Sequence, residues 1–103
     1  MKLGDVVQKL ESFPEMTIYV ADGSSGKADD EVILLPKGTR TSSAPPGFSY
    51  LLECDIAAEA LMVWSEWRDG RLPNRDEAAE AVFYYGREDA YLPTEAMLRE
   101  PQR

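Results

Sequence analysis

The hydrophobic period changes twice along this chain, and that limits the fold more than any single residue does. Leu3, Val6, Val7 and Leu10 sit at i, i+3, i+4 and i+7, one face of an amphipathic helix, with Phe13 beyond them and Pro14 to stop it. A first helix over about 3–12 is predicted. Residues 17–21 are then β-branched and aromatic, residues 22–26 are turn formers, and 32–35 is a short apolar run ended by Pro36. These read as two strands, paired antiparallel. Residues 48–53 alternate Phe48, Tyr50 and Leu52 against Ser49, Leu51 and Glu53, which predicts a third strand with a buried face.

The helical period returns after residue 54. Asp55 is placed to cap a second helix, and Ile56, Ala60, Val63 and Trp67 fall on one of its faces, with Gly70 at the exit. Asn74 with Glu77 three residues later is a capping-box start. Ala78, Val82 and Tyr85, with Ala81 beside them, trace the apolar face of a third helix ending at Gly86. Residues 90–92 are expected as a short closing strand, 94–99 as one or two helical turns, and 100–103 as a frayed tail. Gly38, Ser42, Ser43, Pro45, Pro46 and Gly47 make 37–47 a flexible surface loop. The expectation is one α+β domain over 1–103, a small, mostly antiparallel sheet packed against helices in the order α-β-β-β-α-α, then a short β.

Charge narrows the function. The chain has 19 Asp and Glu, 11 Lys and Arg and no histidine, for a net charge of −8. The acid is uneven: 1–35 hold seven acids and three bases, 36–52 only Lys37 and Arg40, and 53–80 eight acids and three bases. Such a field opposes nucleic acid, whose phosphates are held by lysine and arginine, and draws in a basic protein quickly and salt-sensitively. The expected partner is a basic protein, with no direct nucleic-acid or membrane binding, and the oligomeric state stays open. The first residues hold no apolar run of signal-peptide length, and no stretch reaches the ~18 apolar residues of a membrane span. Cys54 is the one cysteine, which fits a reducing compartment and a cytoplasmic location.

Motifs for chemistry fail on spacing. Gly23, Ser24, Ser25, Gly26 and Lys27 follow a strand as a phosphate loop would, but too few residues separate the glycines, and Ala28 stands where Ser or Thr is needed. A calcium loop from Asp22 would place Lys27 where glycine belongs and Ile33 where glutamate belongs. Cys54, at a helix start, is opposed by Glu53 and Asp55 and has no histidine to serve as base. No catalytic residue, metal or cofactor is assigned, and the chain is read as a non-enzyme.

The acids fall into two candidate partner-binding patches. Glu59 and Glu66 share the outward face of the second helix, Asp69 follows them, and Asp76, Glu77 and Glu80 lie on the first turns of the third. Asp29, Asp30 and Glu31 form the second patch. Trp67 belongs to the apolar stripe. Trp64 lies on its margin: an aromatic at helical spacing there fills the core, and the alternative is an anchor for a partner beside the carboxylates.

The run Ala81, Val82, Phe83, Tyr84, Tyr85, followed by Glu88, Asp89, Ala90 and Tyr91, resembles the C-terminal signature of a family of small, mostly uncharacterised bacterial proteins. Ile18, Tyr19 and Val20 fit that pattern too, and together these cover about a fifth of the chain. Small acidic proteins of this kind resemble the immunity proteins of contact-dependent growth inhibition and related toxin systems. The resemblance implies a cytoplasmic protein that binds a basic toxin, such as a nuclease, and occludes its active site with carboxylates. The alternative is a self-associating regulatory or housekeeping domain with a seam of Tyr84, Tyr85 and Tyr91.

Overall fold

Strand β1 (Met16–Ala21) is the middle of a three-stranded antiparallel sheet, between β2 (Val32–Pro36) and β3 (Phe48–Glu53), in a computed structural model that describes residues 1–99. Helix α1 (Leu3–Val7) and a 3₁₀ turn at Leu10–Ser12 precede it; α2 (Cys54–Glu66), α3 (Arg75–Glu88) and α4 (Glu95–Arg99) follow β3. The architecture is the expected α+β layer. Ile18 and Val20 of β1, Val32 of β2 and Leu51 and Leu52 of β3 meet Leu3, Val6, Ala57, Ala79 and Val82 in one core. At about 25 cal/mol per Å² of apolar area removed from water, this two-sided burial is the main force holding the layers together.

The β1–β3 register pairs Ile18 with Leu52 and Tyr19 with Tyr50, which leaves Leu51 unpaired at a bulge. The extra residue lets Leu51 and Leu52 both enter the core, where simple alternation predicts them on opposite faces. Strands β2 and β3 are both antiparallel to β1, so they are parallel to each other, and residues 37–47 must travel back along the sheet to join them. Thr17 and Tyr19 point away from the helices, yet Tyr19 is only 1% exposed. On that face the Tyr19 ring packs edge-on against Tyr50 of β3, with ring centroids 5.8 Å apart.

Several expectations need correction. The first helix stops at Val7, and Lys9 leaves helical geometry at φ −142°. This break lets α1 lie on α3 while the Leu10–Ser12 turn lies on α2, which one straight helix could not do. Helix α2 buries Cys54, Ala57, Ala60 and Trp64, a face rotated by about one residue from the predicted one. Trp64 is therefore core, 4% exposed, and Trp67 is the surface tryptophan at 39%. Asp55, Glu59 and Glu66 cluster on one face of α2, opposite Ala57 and Trp64, so the acids mark the outward side that the apolar spacing alone misplaced.

Helix α3 passes through Gly86 and ends at Glu88, where Asp89 takes a left-handed φ of 54° and donates its N–H to Tyr85. Gly86 is required for proximity, since a Cβ there would lie 2.5 Å from Leu51 Cδ1 and 3.0 Å from the Leu51 carbonyl oxygen. Residues 90–92 form no strand; the Leu92 and Pro93 carbonyls instead accept from the Arg68 guanidinium at 3.5 and 3.4 Å. The predicted tail at 100–103 lies outside the described residues.

Candidate functional site: an acidic cleft between α3 and the 26–29 turn

The N-terminus of α3 is built as the sequence pattern predicts. The Asn74 side chain accepts from the Glu77 N–H at 2.8 Å, and Glu77 Oε1 accepts from the Asn74 N–H at 3.1 Å. This box directs Asp76 and Glu80 outward from the first turns. Opposite them, Asp30 Oδ2 accepts from the Gly26 and Lys27 N–H groups, both at 2.8 Å, folding the turn so that Asp29 projects. Gly26 has φ +90°, and a Cβ there would meet the Phe83 ring at 3.0 Å, so the turn rests directly on α3.

The result is a cleft of about 430 Å³ lined by Gly26, Lys27, Ala28, Asp29, Asp76, Glu77 and Glu80. Members of both predicted patches, nearly fifty residues apart in sequence, thus share one surface. Their charges are not equally available. Glu77 takes a two-pronged ion pair from Arg71 at 2.9 and 3.0 Å, which with the Asn74 N–H holds its carboxyl below the usual range. Glu31 is tied to the N-terminal ammonium and Lys2, and Asp30 to the turn it folds. Asp29 meets Arg75 at 3.5 Å but is 87% exposed in its side chain, and Arg75 is shared with Asp5 at 3.1 Å. Among the described residues, Asp76 and Glu80 make no ion pair.

Other predicted residues lie elsewhere. Glu59 accepts from the Tyr91 hydroxyl at 3.3 Å, and burial, then the Glu59 charge, raises the Tyr91 pKa. The Tyr91 ring stacks edge-on against Trp67 at 5.8 Å and tilts on Tyr85 at 5.2 Å. Glu66 adds its charge to this flank, and Asp69 sits in the left-handed turn after α2 at φ 56°. Trp64 cannot serve as an exposed anchor, because α2 turns it inward. Its ring instead supports the Arg68 and Arg71 guanidinium groups, 4.3 and 4.7 Å from the centroid. Those arginines escaped the sequence reading: Arg68 lies one turn beyond Trp64, but Arg71 follows the left-handed Asp69 and Gly70 outside α2, where no helical spacing reports it.

Cys54 is buried, and burial followed by the Asp55 charge pushes its thiol up to about 11, leaving it protonated and a poor nucleophile at neutral pH. Lys37 bridges Asp55 at 2.6 Å and Glu53 at 3.7 Å beside it. Among the described residues, no group of three or more Cys, Asp or Glu side chains is placed to hold a metal ion, and no helix is long and apolar enough to cross a membrane. Compared with protein-family models, curated proteins and solved structures, the chain matches none.

Proposed function

We propose that this protein is a non-catalytic, cytoplasmic immunity protein that neutralises a basic toxin domain by covering its active surface with carboxylates. The observation that carries this reading is the meeting of Asp29 with Asp76 and Glu80 across one cleft, with no cation on Asp76 or Glu80 among the described residues. Carboxylates gathered on one surface sum to a negative field, offset only in part by Lys27 of the same cleft, and arriving Lys or Arg side chains meet that field favourably. The same field accelerates encounter and rejects acidic partners. Asp30, Glu31 and Glu77 act as the scaffold that presents the other carboxylates. The low reactivity of Cys54 and the absence of histidine support a binding role over a catalytic one.

The test is association of the purified protein with the basic domain encoded beside its gene, followed by stopped-flow fluorescence from low to high salt. Association slows steeply as salt rises, and the double variant Asp76→Asn/Glu80→Gln flattens that dependence. A second reading, self-association, draws on the partly exposed Trp67, Tyr85 and Tyr91 stack. A salt-resistant dimer in sedimentation, with no basic protein co-purifying, would overturn the immunity reading and favour the seam.

A further inference from the structure

Trp67 is the exposed indole of the molecule, and its surroundings differ from those of the other large rings. Trp64 carries the Arg68 and Arg71 guanidinium groups, and Phe83 carries that of Arg87 at 5.1 Å. Among the described residues, no lysine or arginine stands over Trp67 or Tyr91, and none pairs with Glu59 or Glu66. We infer that this flank is a seat for an arginine side chain of a protein partner, its guanidinium stacked on the Trp67–Tyr91 corner beside the Glu59 and Glu66 carboxylates. This rests on the basic-partner reading above and adds a second contact, away from the cleft.

Tyr91 joins the aromatic and the acidic parts of the seat. Its ring meets Trp67 at 5.8 Å and 76°, nearly a right angle, and its hydroxyl donates to Glu59 at 3.3 Å. The carboxylates whose charges act on Tyr91 are Glu59 and Glu66, whereas those acting on Arg68 are Glu77 and Glu80 of α3. The flank is therefore negative with no described cation to offset it. Ring faces are negative too, so rings and carboxylates call for the same sign of partner. A second copy of this chain is a poor occupant, because a two-fold seam here gathers Glu59 and Glu66 from both copies. An apolar segment would desolvate those acids without a counter-charge. Arginine suits the seat better than lysine, since a planar guanidinium lies flat on a ring and keeps its N–H edge for a carboxylate. Arg71 already does this within the protein, stacked over Trp64 while its N–H groups bond Glu77. As a short-range contact the seat prolongs the bound state, whereas the cleft steers the encounter.

The experiment titrates the whole protein at low salt with three capped pentapeptides, Gly-Ser-Xaa-Ser-Gly, and follows indole and backbone N–H groups by NMR. The central residue is arginine, lysine or citrulline, the uncharged urea analogue of arginine. The arginine peptide shifts the Trp67 indole N–H and the Tyr91 amide, and its own δ-methylene protons move upfield under the ring current. It binds about threefold more tightly than the lysine peptide, and the citrulline peptide does not bind. Trp67→Leu, at an exposed position, brings the arginine and lysine peptides to equal affinity; Glu59→Gln/Glu66→Gln weakens both by about threefold. Equal binding of the arginine and citrulline peptides at Trp67, or shifts confined to Asp29, Asp76 and Glu80, overturns the inference and leaves the basic-partner reading standing. Trp67 shifts that follow protein concentration without peptide assign the face to a second copy and also overturn it. No shift at either surface with the arginine or lysine peptide overturns both readings.

Discussion

The cleft between α3 and the 26–29 turn and the flank carrying Glu59, Glu66 and Trp67 are both acidic, but they are built differently. On the flank, Glu59 and Glu66 come from a single helix and lie beside an aromatic stack, with the Tyr91 hydroxyl donated to Glu59. In the cleft, carboxylates come from distant segments and are aimed by hydrogen bonds that spend other acids, Asp30 and Glu77, on the scaffold. A surface kept only for solubility needs no such aiming. The difference teaches that counting acids says little, whereas asking which acids are already satisfied separates scaffold from contact.

The two tryptophans of this region give the largest expected contrast. Trp64→Ala empties a buried site beneath Arg68 and Arg71 and should cost about 3–5 kcal/mol, whereas Trp67→Ala, on the flank, should cost about 1 kcal/mol or less. Urea denaturation of both variants checks this, and equal losses would erase the distinction between core and flank. Gly86→Ala comes next. Its added methyl strikes Leu51, so despite the ~1 kcal/mol helix preference for alanine the net change is a loss of about 1–3 kcal/mol, read in the same denaturation.

Asn74→Ala removes one half of the capping box and should lower stability by about 0.5–2 kcal/mol. It should also slow partner association, because the first turn that carries Asp76 and Glu80 loses its anchor. Asp76→Asn/Glu80→Gln should leave stability nearly unchanged while lowering the low-salt on-rate by a few-fold; Glu59→Gln/Glu66→Gln should do neither. A larger effect from the flank pair would reverse the ranking of the two regions.

The smallest effect is in acid. The Glu77 carboxyl is depressed in the folded state, so its stabilisation is fully present above the unfolded pKa, roughly 4.3, and is lost as pH falls through the lower folded value. Stability measured from pH 6 to 2 should therefore fall less steeply in Glu77→Gln than in the unmodified protein. Equal slopes would show that the Arg71 pair adds nothing in solution.

Local pattern made much of this molecule legible. The β-branched run at 17–21, the apolar run at 32–35 and the Asn74–Glu77 start became β1, β2 and the head of α3 because each signal is contained within a few residues. Legibility failed where several local answers had similar energy. The apolar spacing in α2 continues to Trp67 although its acids stand opposite Trp64, the 3–12 stripe could be one helix or two pieces, and Gly86 could end a helix or seat it against Leu51. The closing strand failed for a related reason: the carbonyls of Leu92 and Pro93 found Arg68, a donor no strand propensity records.

The sequence by itself determined the α+β class, the antiparallel strands and the acidity of α3, because propensity, period and capping are settled by neighbours in the chain. Only the tertiary structure decided which tryptophan is core, which carboxylates are already spent, and that Asp29 shares a cleft with Asp76 and Glu80. Those outcomes depend on packing and long-range hydrogen bonds between segments that become neighbours only when the layers close.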